Sequence, residues 1–202
     1  DSVINRKSIM RFDGVNDFLE IADNSSIDFT NAFQIFVLVK PTVVAVNKTI
    51  LAKWDYQTQG SWAWQSDFST SNQLQFTPAL TITDAGNQSI KTSNADMQLL
   101  KPAILSLCYN GNLVNKVKFY KNANLLNSIT SGVLPSLIPN STATLKIGKY
   151  GGIATRYYQG DIGEILIYNS ELGAYEKFIT SYFGYDKVLP MNTGVEGGET
   201  AV

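Results

Sequence analysis

Between residues 9 and 168 the apolar side chains recur at every second position or in short unbroken runs, and each run stops at a cluster of Gly, Pro, Asn, Asp or Ser. Successive side chains on an extended strand point to opposite faces, so this pattern fits strands that are half or fully buried in sheets. Met10-Arg11-Phe12-Asp13 and Phe18-Leu19-Glu20-Ile21 flank an Asp-Gly corner, with Ile9, Met10, Phe12, Phe18, Leu19 and Ile21 as core candidates. Residues 33–40 are almost wholly apolar before Pro41 and read as a central strand. Residues 49–54 and 61–68 form a hairpin pattern that puts Trp62, Trp64 and Phe68 on one face, which reads as core. Between 69 and 101 the pattern weakens to two short alternating pieces, near Leu74-Gln75-Phe76 and at residues 79–83. It recovers at residues 103–109, turns at Asn110-Gly111 and resumes at 117–121, a strong local signal for a hairpin. Strands at 143–148 and 160–168 complete the series.

Only after residue 171 does the period lengthen. Leu172, Tyr175, Phe178, Ile179, Tyr182 and Phe183 share one helical face, with Gly173 as N-cap, Glu176 three residues on and Pro190 beyond the end. The expected architecture is therefore an all-β, two-sheet sandwich carrying one short C-terminal amphipathic helix. A length of 202 residues suits one such domain, and 44% hydrophobic against 16% charged residues supplies a core. The expected organisation is an N-terminal arm over residues 1–7, the sandwich domain over 8–190 and an unpatterned tail over 191–202. The chain begins at Asp1 and not at Met, which suggests a processed chain or a piece of a longer one.

Several function classes are excluded by composition. The net charge is −1 and the basic residues are scattered singly, so nothing resembles the cationic stripe that nucleic acid requires. No apolar run approaches the ~20 residues of a membrane helix, and membrane insertion is not expected. The absence of histidine removes Ser-His-Asp and Cys-His catalysis and imidazole metal ligands. Cys108 lies within an apolar run and reads as a small buried hydrophobe. The carboxylate pairs Glu20/Asp23 and Asp161/Glu164 are spaced by three, which on a strand places the partners on opposite faces. Catalysis is not expected.

The ordered pieces resemble the laminin G-like, concanavalin A-like lectin/glucanase family of jelly-roll sandwiches. Residues 10–21 are similar to its opening L-x-F-D-G-x-N-D-Y-V-x-I strands, and residues 33–41 to its F-T-I-x-x-W-V-K-P strand. Ile50-Leu51-Ala52-Lys53-Trp54 resembles I-L-S-K-W, Leu107-Cys108-Tyr109-Asn110-Gly111 resembles L-x-Y-D-G, and Phe119-Tyr120-Lys121-Asn122-Ala123 resembles L-Y-V-N-G with Ala in place of the turn Gly. Leu145-Lys146-Ile147-Gly148 is similar to L-x-I-G, and residues 158–169 are similar to the closing F-x-G-x-I-x-E-V-x-I-Y-N strand, with Gly163 where many relatives have Asp. Residues 69–101 are unmatched. The resemblance implies a jelly-roll fold that binds glycans or protein surfaces, sometimes with a structural calcium ion. The Glu-x-Asp-x-x-Glu strand of the sandwich glucanases is absent.

Sugars stack their C–H surfaces on aromatic faces while Asn, Gln and Asp side chains form hydrogen bonds with their hydroxyls. Trp54, Tyr56, Tyr150, Arg156 and Tyr157 meet that need in composition, with Tyr56, Tyr150 and Tyr157 as the expected exposed contacts. Asp13, Asp17 and Asp161 are the candidate calcium ligands, if the closing strand ends beside the opening one; the simpler reading of Asp13 and Asp17 is that of ordinary turn formers. The expected function is a non-catalytic carbohydrate-recognition or adhesion module, working outside the cell, at its surface or on a virion. The alternative is a structural decoration or assembly subunit that uses the sandwich as a rigid spacer, as a homo-oligomer or within a larger assembly. The sequons at Asn24, Asn47, Asn87 and Asn140 carry glycans only in a eukaryotic secretory route.

Overall fold

The computed structural model describes residues 3–4, 7–66, 72–84, 86 and 88–172, with backbone pairing alone for residues 3–4 and 7–8. In chain order the strands are β1 (Val3–Ile4), β2 (Lys7–Ser8), β3 (Met10–Asp13), β4 (Leu19–Ile21), β5 (Ala32–Pro41), β6 (Thr49–Asp55), β7 (Gln59–Ser66) and β8 (Leu74–Pro78). They continue as β9 (Ser89–Thr92), β10 (Ala103–Asn110), β11 (Val117–Lys121), β12 (Asn124–Leu126), β13 (Ser128–Ser131), β14 (Leu145–Ile147) and β15 (Gln159–Tyr168). Among the described residues they form a six-stranded sheet, β12-β11-β10-β5-β15-β3, and a seven-stranded sheet, β13-β9-β8-β7-β6-β14-β4. Every pairing within the two sheets is antiparallel, which makes the fold the expected all-β jelly-roll sandwich. The helix expected from residue 172 and the tail at 191–202 lie outside the described residues. The chain divides into compact units Asp1–Glu171 and Leu172–Val202, and the sandwich belongs to the first.

The core lies between the sheets and is built by the inward set of each strand. Phe33 from β5 is its centre, with ring centroids 5.2 Å from Trp62, 5.5 Å from Tyr109, 5.7 Å from Phe29 and 6.0 Å from Phe76. Trp62, Trp64 and Cys108 are buried as their patterns require. Burial pushes the Tyr109 phenol up to about 12 while its hydroxyl donates to the Pro135 carbonyl at 2.8 Å.

Residues 10–21 need correction. β3 and β4 do not pair with each other: β3 is an edge of the six-stranded sheet beside β15, and β4 is an edge of the seven-stranded sheet beside β14. Edge strands cover little core, so of the six apolar candidates only Phe12 is buried, whereas Met10, Leu19 and Ile21 are exposed. The partnership of the opening segment with residues 160–168 holds through Asp13↔Gln159, Phe12↔Gly160, Arg11↔Asp161 and Met10↔Ile162. At the N-terminus Val3↔Ser8 and Ile4↔Lys7 pair in a two-stranded ladder.

The piece at residues 79–83 is a turn and not a strand, and besides β1 and β2 the short strands β9, β12 and β13 are formed where the sequence pattern announces none. β11 and β12 are joined through Asn122 and Ala123 at φ 48° and 67°, a left-handed pair that favours glycine. Ala123→Gly is therefore expected to raise stability by about 0.5–1 kcal/mol, after the added freedom of the unfolded chain is set against the relieved strain. A urea titration measures it, and an unchanged or lower midpoint would contradict the strained turn.

Candidate functional site

Alternation along β6 and β7 gives the seven-stranded sheet a second packed face. Leu51, Trp62 and Trp64 point into the main core, so Ala52, Trp54 and Ala63 point outward. Outward residues are normally wet, yet these are fully buried, because two segments fold back over them. Residues 79–84 with Gly86 are one: Gly60 N–H donates to Ile82 O at 2.6 Å, and a Cβ added at Gly86 would lie 3.4 Å from the Trp54 ring. The other is residues 149–157, where Lys149↔Tyr157 is an antiparallel bridge and Asp55↔Gly151 a parallel one.

This small hairpin has two faces. On one, Tyr150 meets Trp54 at 5.9 Å between centroids and 33° between planes, Arg156 Cζ lies 4.7 Å from the Tyr150 ring centre, and Tyr56 and Ile153 pack alongside, partly exposed. On the other, Lys149 Nζ lies 4.2 Å from the Phe18 ring centre and 5.3 Å from that of Tyr157. Burial raises the Tyr150 phenol well above its ordinary value and pulls the Arg156 guanidinium down from its own. Tyr56 N–H donates to Gly151 O at 3.2 Å, fixing the loop after β6 against the hairpin.

Beside this aromatic base runs a line of charge. Lys146 Nζ lies 3.0 Å from Asp55 Oδ1, 3.3 Å from Glu20 Oε1 and 2.6 Å from Thr144 Oγ1. The Thr144 hydroxyl donates to Glu20, and that bond first, then Lys146, holds the Glu20 carboxyl below the usual carboxylate range.

The expected ligand-binding residues thus divide. Trp54, Tyr150, Tyr56 and Arg156 come together, but Trp54 and Tyr150 are 0% and 1% exposed and form the base of the site. Tyr150 and Tyr157, expected as exposed contacts, are buried because the loop that carries them folds back on the sheet and does not project from it. Tyr157 lies on the opposite face of the hairpin, against Phe18 at 6.4 Å. Nothing in the sequence singles out Asp55, Lys146 or Ile153 for the site, and Glu20 stands out there only as half of a carboxylate pair; the juxtaposition of Glu20, Lys146 and Asp55 follows from the β4-β14-β6 register.

The calcium candidates do not converge. Asp13 Oδ1 accepts backbone N–H groups of Val15 at 2.7 Å and Asn16 at 3.1 Å, which hold its carboxyl below the ordinary range, and Asp17 Oδ2 accepts Asp13 N–H at 3.0 Å. Asp161 is turned to Arg11, which donates to it from Nε at 2.7 Å and Nη2 at 3.0 Å. Among the described residues no three His, Cys, Asp or Glu side chains gather where they could hold a metal ion, so the expected calcium set does not fit the arrangement. Among the same residues no helix is long and apolar enough to cross a membrane.

No protein-family model matches the chain. The sandwich is similar to the carbohydrate-binding module CBM40 of the Ruminococcus gnavus IT-sialidase bound to α2,3 sialyllactose, at 13% identity and a TM-score of 0.58, covering 82% of this chain and 96% of that one. It is also similar to domain 4 of AbnA, a GH43 extracellular arabinanase from Geobacillus stearothermophilus in complex with arabinotriose, at 14% identity and a TM-score of 0.61, covering 86% of this chain and 76% of that one. The binding domain of Paraclostridial Mosquitocidal Protein 1 matches at 14% identity and a TM-score of 0.63, over 88% of this chain and 44% of that one. At these identities the likeness is one of fold. A different similarity is confined to a short stretch: 34 residues are 71% identical to the mitochondrial ornithine aminotransferase of Drosophila melanogaster, and 34 are 74% identical to the ornithine aminotransferase of Vigna aconitifolia. That stretch is 17% of this chain, which spans about 8% of the length of those curated relatives.

Proposed function

We propose that the sandwich is a non-catalytic carbohydrate-recognition or adhesion module of laminin G-like type, working outside the cell, on a cell surface or on a virion. The observation that carries this reading is the back-folded hairpin 149–157, which sets the partly exposed Tyr56, Ile153 and Arg156 on a rigid base of Trp54 and Tyr150. An apolar ring face takes the C–H surface of a sugar, and the guanidinium with the Asp55-Lys146-Glu20 line offers donors and acceptors to its hydroxyls. The sialyllactose and arabinotriose held by two proteins of the same fold support the ligand class without choosing a sugar.

A glycan array followed by titration tests the reading. Tyr56→Ala and Arg156→Ala are each expected to weaken the best glycan roughly tenfold, as loss of an aromatic or arginine anchor does. An array flat across broad glycan classes, or binding indifferent to both substitutions, would remove the site from consideration.

A second reading rests on the aminotransferase-like stretch. We infer that it follows the sandwich in sequence, since the sandwich unit closes at Glu171 and the remainder, Leu172–Val202, is close in length to the 34 residues matched. The chain would then join a recognition domain to part of an aminotransferase. Sequencing the transcript as one long read across this junction is expected to find both parts on one message; separate messages would refute it.

A further inference from the structure

We propose that the cavity between segment 96–102 and the adjoining ends of β5, β10 and β11 is a binding site for a small amphiphilic carboxylate, of the size of benzoate. Its volume is about 190 Å³, and Val39, Pro41, Met97, Ala103 and Leu105 line it with apolar surface. The space opens to solvent and carries polar as well as apolar lining, and it has room for one ring or a short acyl chain with a head group at the opening. Lys101 and Lys121 line it too, against Asp96 as the acidic side chain of that lining. The Lys121 ammonium donates to the Asp96 main-chain carbonyl at 2.7 Å, which spends one of its three donors. Two cations against one carboxylate favour an anionic head.

The loop is built to leave this space open. Leu99 and Leu100 adjoin the lining residues Gln98 and Lys101, yet they stand 49% and 56% exposed. A chain selected only for burial would turn a leucine inward. Here Leu100 takes φ 58°, a left-handed conformation unusual for a bulky residue, while its N–H donates to Pro41 O at 2.8 Å. The strained residue therefore fixes the loop to the end of β5. Asn122, which also lines the cavity, is held by its Oδ1 accepting the Ile104 N–H at 2.9 Å, so the opposite wall is fixed as well.

Titration of the full chain with sodium benzoate, followed by amide chemical shifts in ¹H–¹⁵N spectra, tests the assignment. Saturable shifts are expected at Met97, Ala103, Leu105 and Asn122, with benzyl alcohol, the same ring without the charge, binding more weakly. Lys101→Glu is expected to weaken benzoate about tenfold, since it replaces an attraction at the opening by a repulsion, and to leave benzyl alcohol unchanged. Lys101 is exposed, so the variant folds as the parent does. Absence of saturable shifts up to the solubility limit overturns the site, and equal binding of both probes, unaltered in Lys101→Glu, overturns the anionic head. Neither outcome bears on the glycan site, whose residues Tyr56 and Arg156 do not line this cavity.

Discussion

Lys53→Met is expected to lower the unfolding free energy by about 3 kcal/mol, near the bottom of the usual range for breaking a buried ion pair. Lys53 belongs to the inward set of β6, opposite Trp62 on β7 and Leu145 on β14, and its side chain is 1% exposed. Its ammonium pairs with Asp23, lies 3.1 Å from Asp28 Oδ1, and donates to Ser141 O at 2.8 Å and Ala143 O at 3.1 Å. One cation thus ties the 23–28 segment and the 141–143 segment to the middle of a sheet. Methionine fills a similar volume but leaves two carboxylates facing each other and two carbonyls without a donor. Asp23 and Asp28 are 30% and 18% exposed, so water recovers part of the loss, which is why the lower figure is expected. Equilibrium unfolding in urea gives the number. A loss below 1 kcal/mol, or no recovery when Asp23→Asn and Asp28→Asn are added to Lys53→Met, would show that the cluster contributes little.

The second large effect is expected at Gly151. A Cβ there would lie 2.0 Å from Trp54 O and 2.1 Å from Asp55 Oδ1, so Gly151→Ala cannot keep the bridge to β6. Overpacking of this kind costs about 1–3 kcal/mol, and here the hairpin can escape only by lifting off the sheet. Lifting would uncover Trp54 and Tyr150, move Arg156 and separate Tyr56 from its Gly151 partner. Loss of glycan binding, a red-shifted tryptophan emission and a lower Tm are expected together. Intact binding with a lower Tm would mean that Tyr56 acts without the hairpin beneath it.

The architecture was legible where long alternating runs meet clear turns. β5, β10 and β15 each carry a run long enough to define both faces, and Asn110-Gly111 announces its hairpin. β12 and β13 were not legible, because strands of three and four residues with Leu125 and Ile129 exposed have no inward set to repeat. The site was half legible. Its aromatic residues could be chosen by composition, but whether a loop projects or folds back depends on contacts such as Gly151 with Asp55, almost a hundred positions apart in a sequence whose periodicity reports only near neighbours. The same holds for Asp161, whose partner was fixed by the β3-β15 register placing it opposite Arg11.

The position of β15 has a consequence for synthesis. It lies between β5 and β3, paired with β5 from Gly160 to Tyr168 and with β3 from Gln159 to Ile162, so it joins the strand at the centre of its sheet to the strand at the edge. A ribosome that has released residues 1–150 has produced both neighbours and not the strand between them. The emerging chain must hold Val37 and Val39 of β5 without their β15 neighbours until residue 168 clears the exit tunnel. Such non-local closure is slow and leaves unpaired edges in the interval, so the sheet should close only once residue 168 is free of the tunnel, and the yield of the domain in cells should depend on chaperones that shield strand edges.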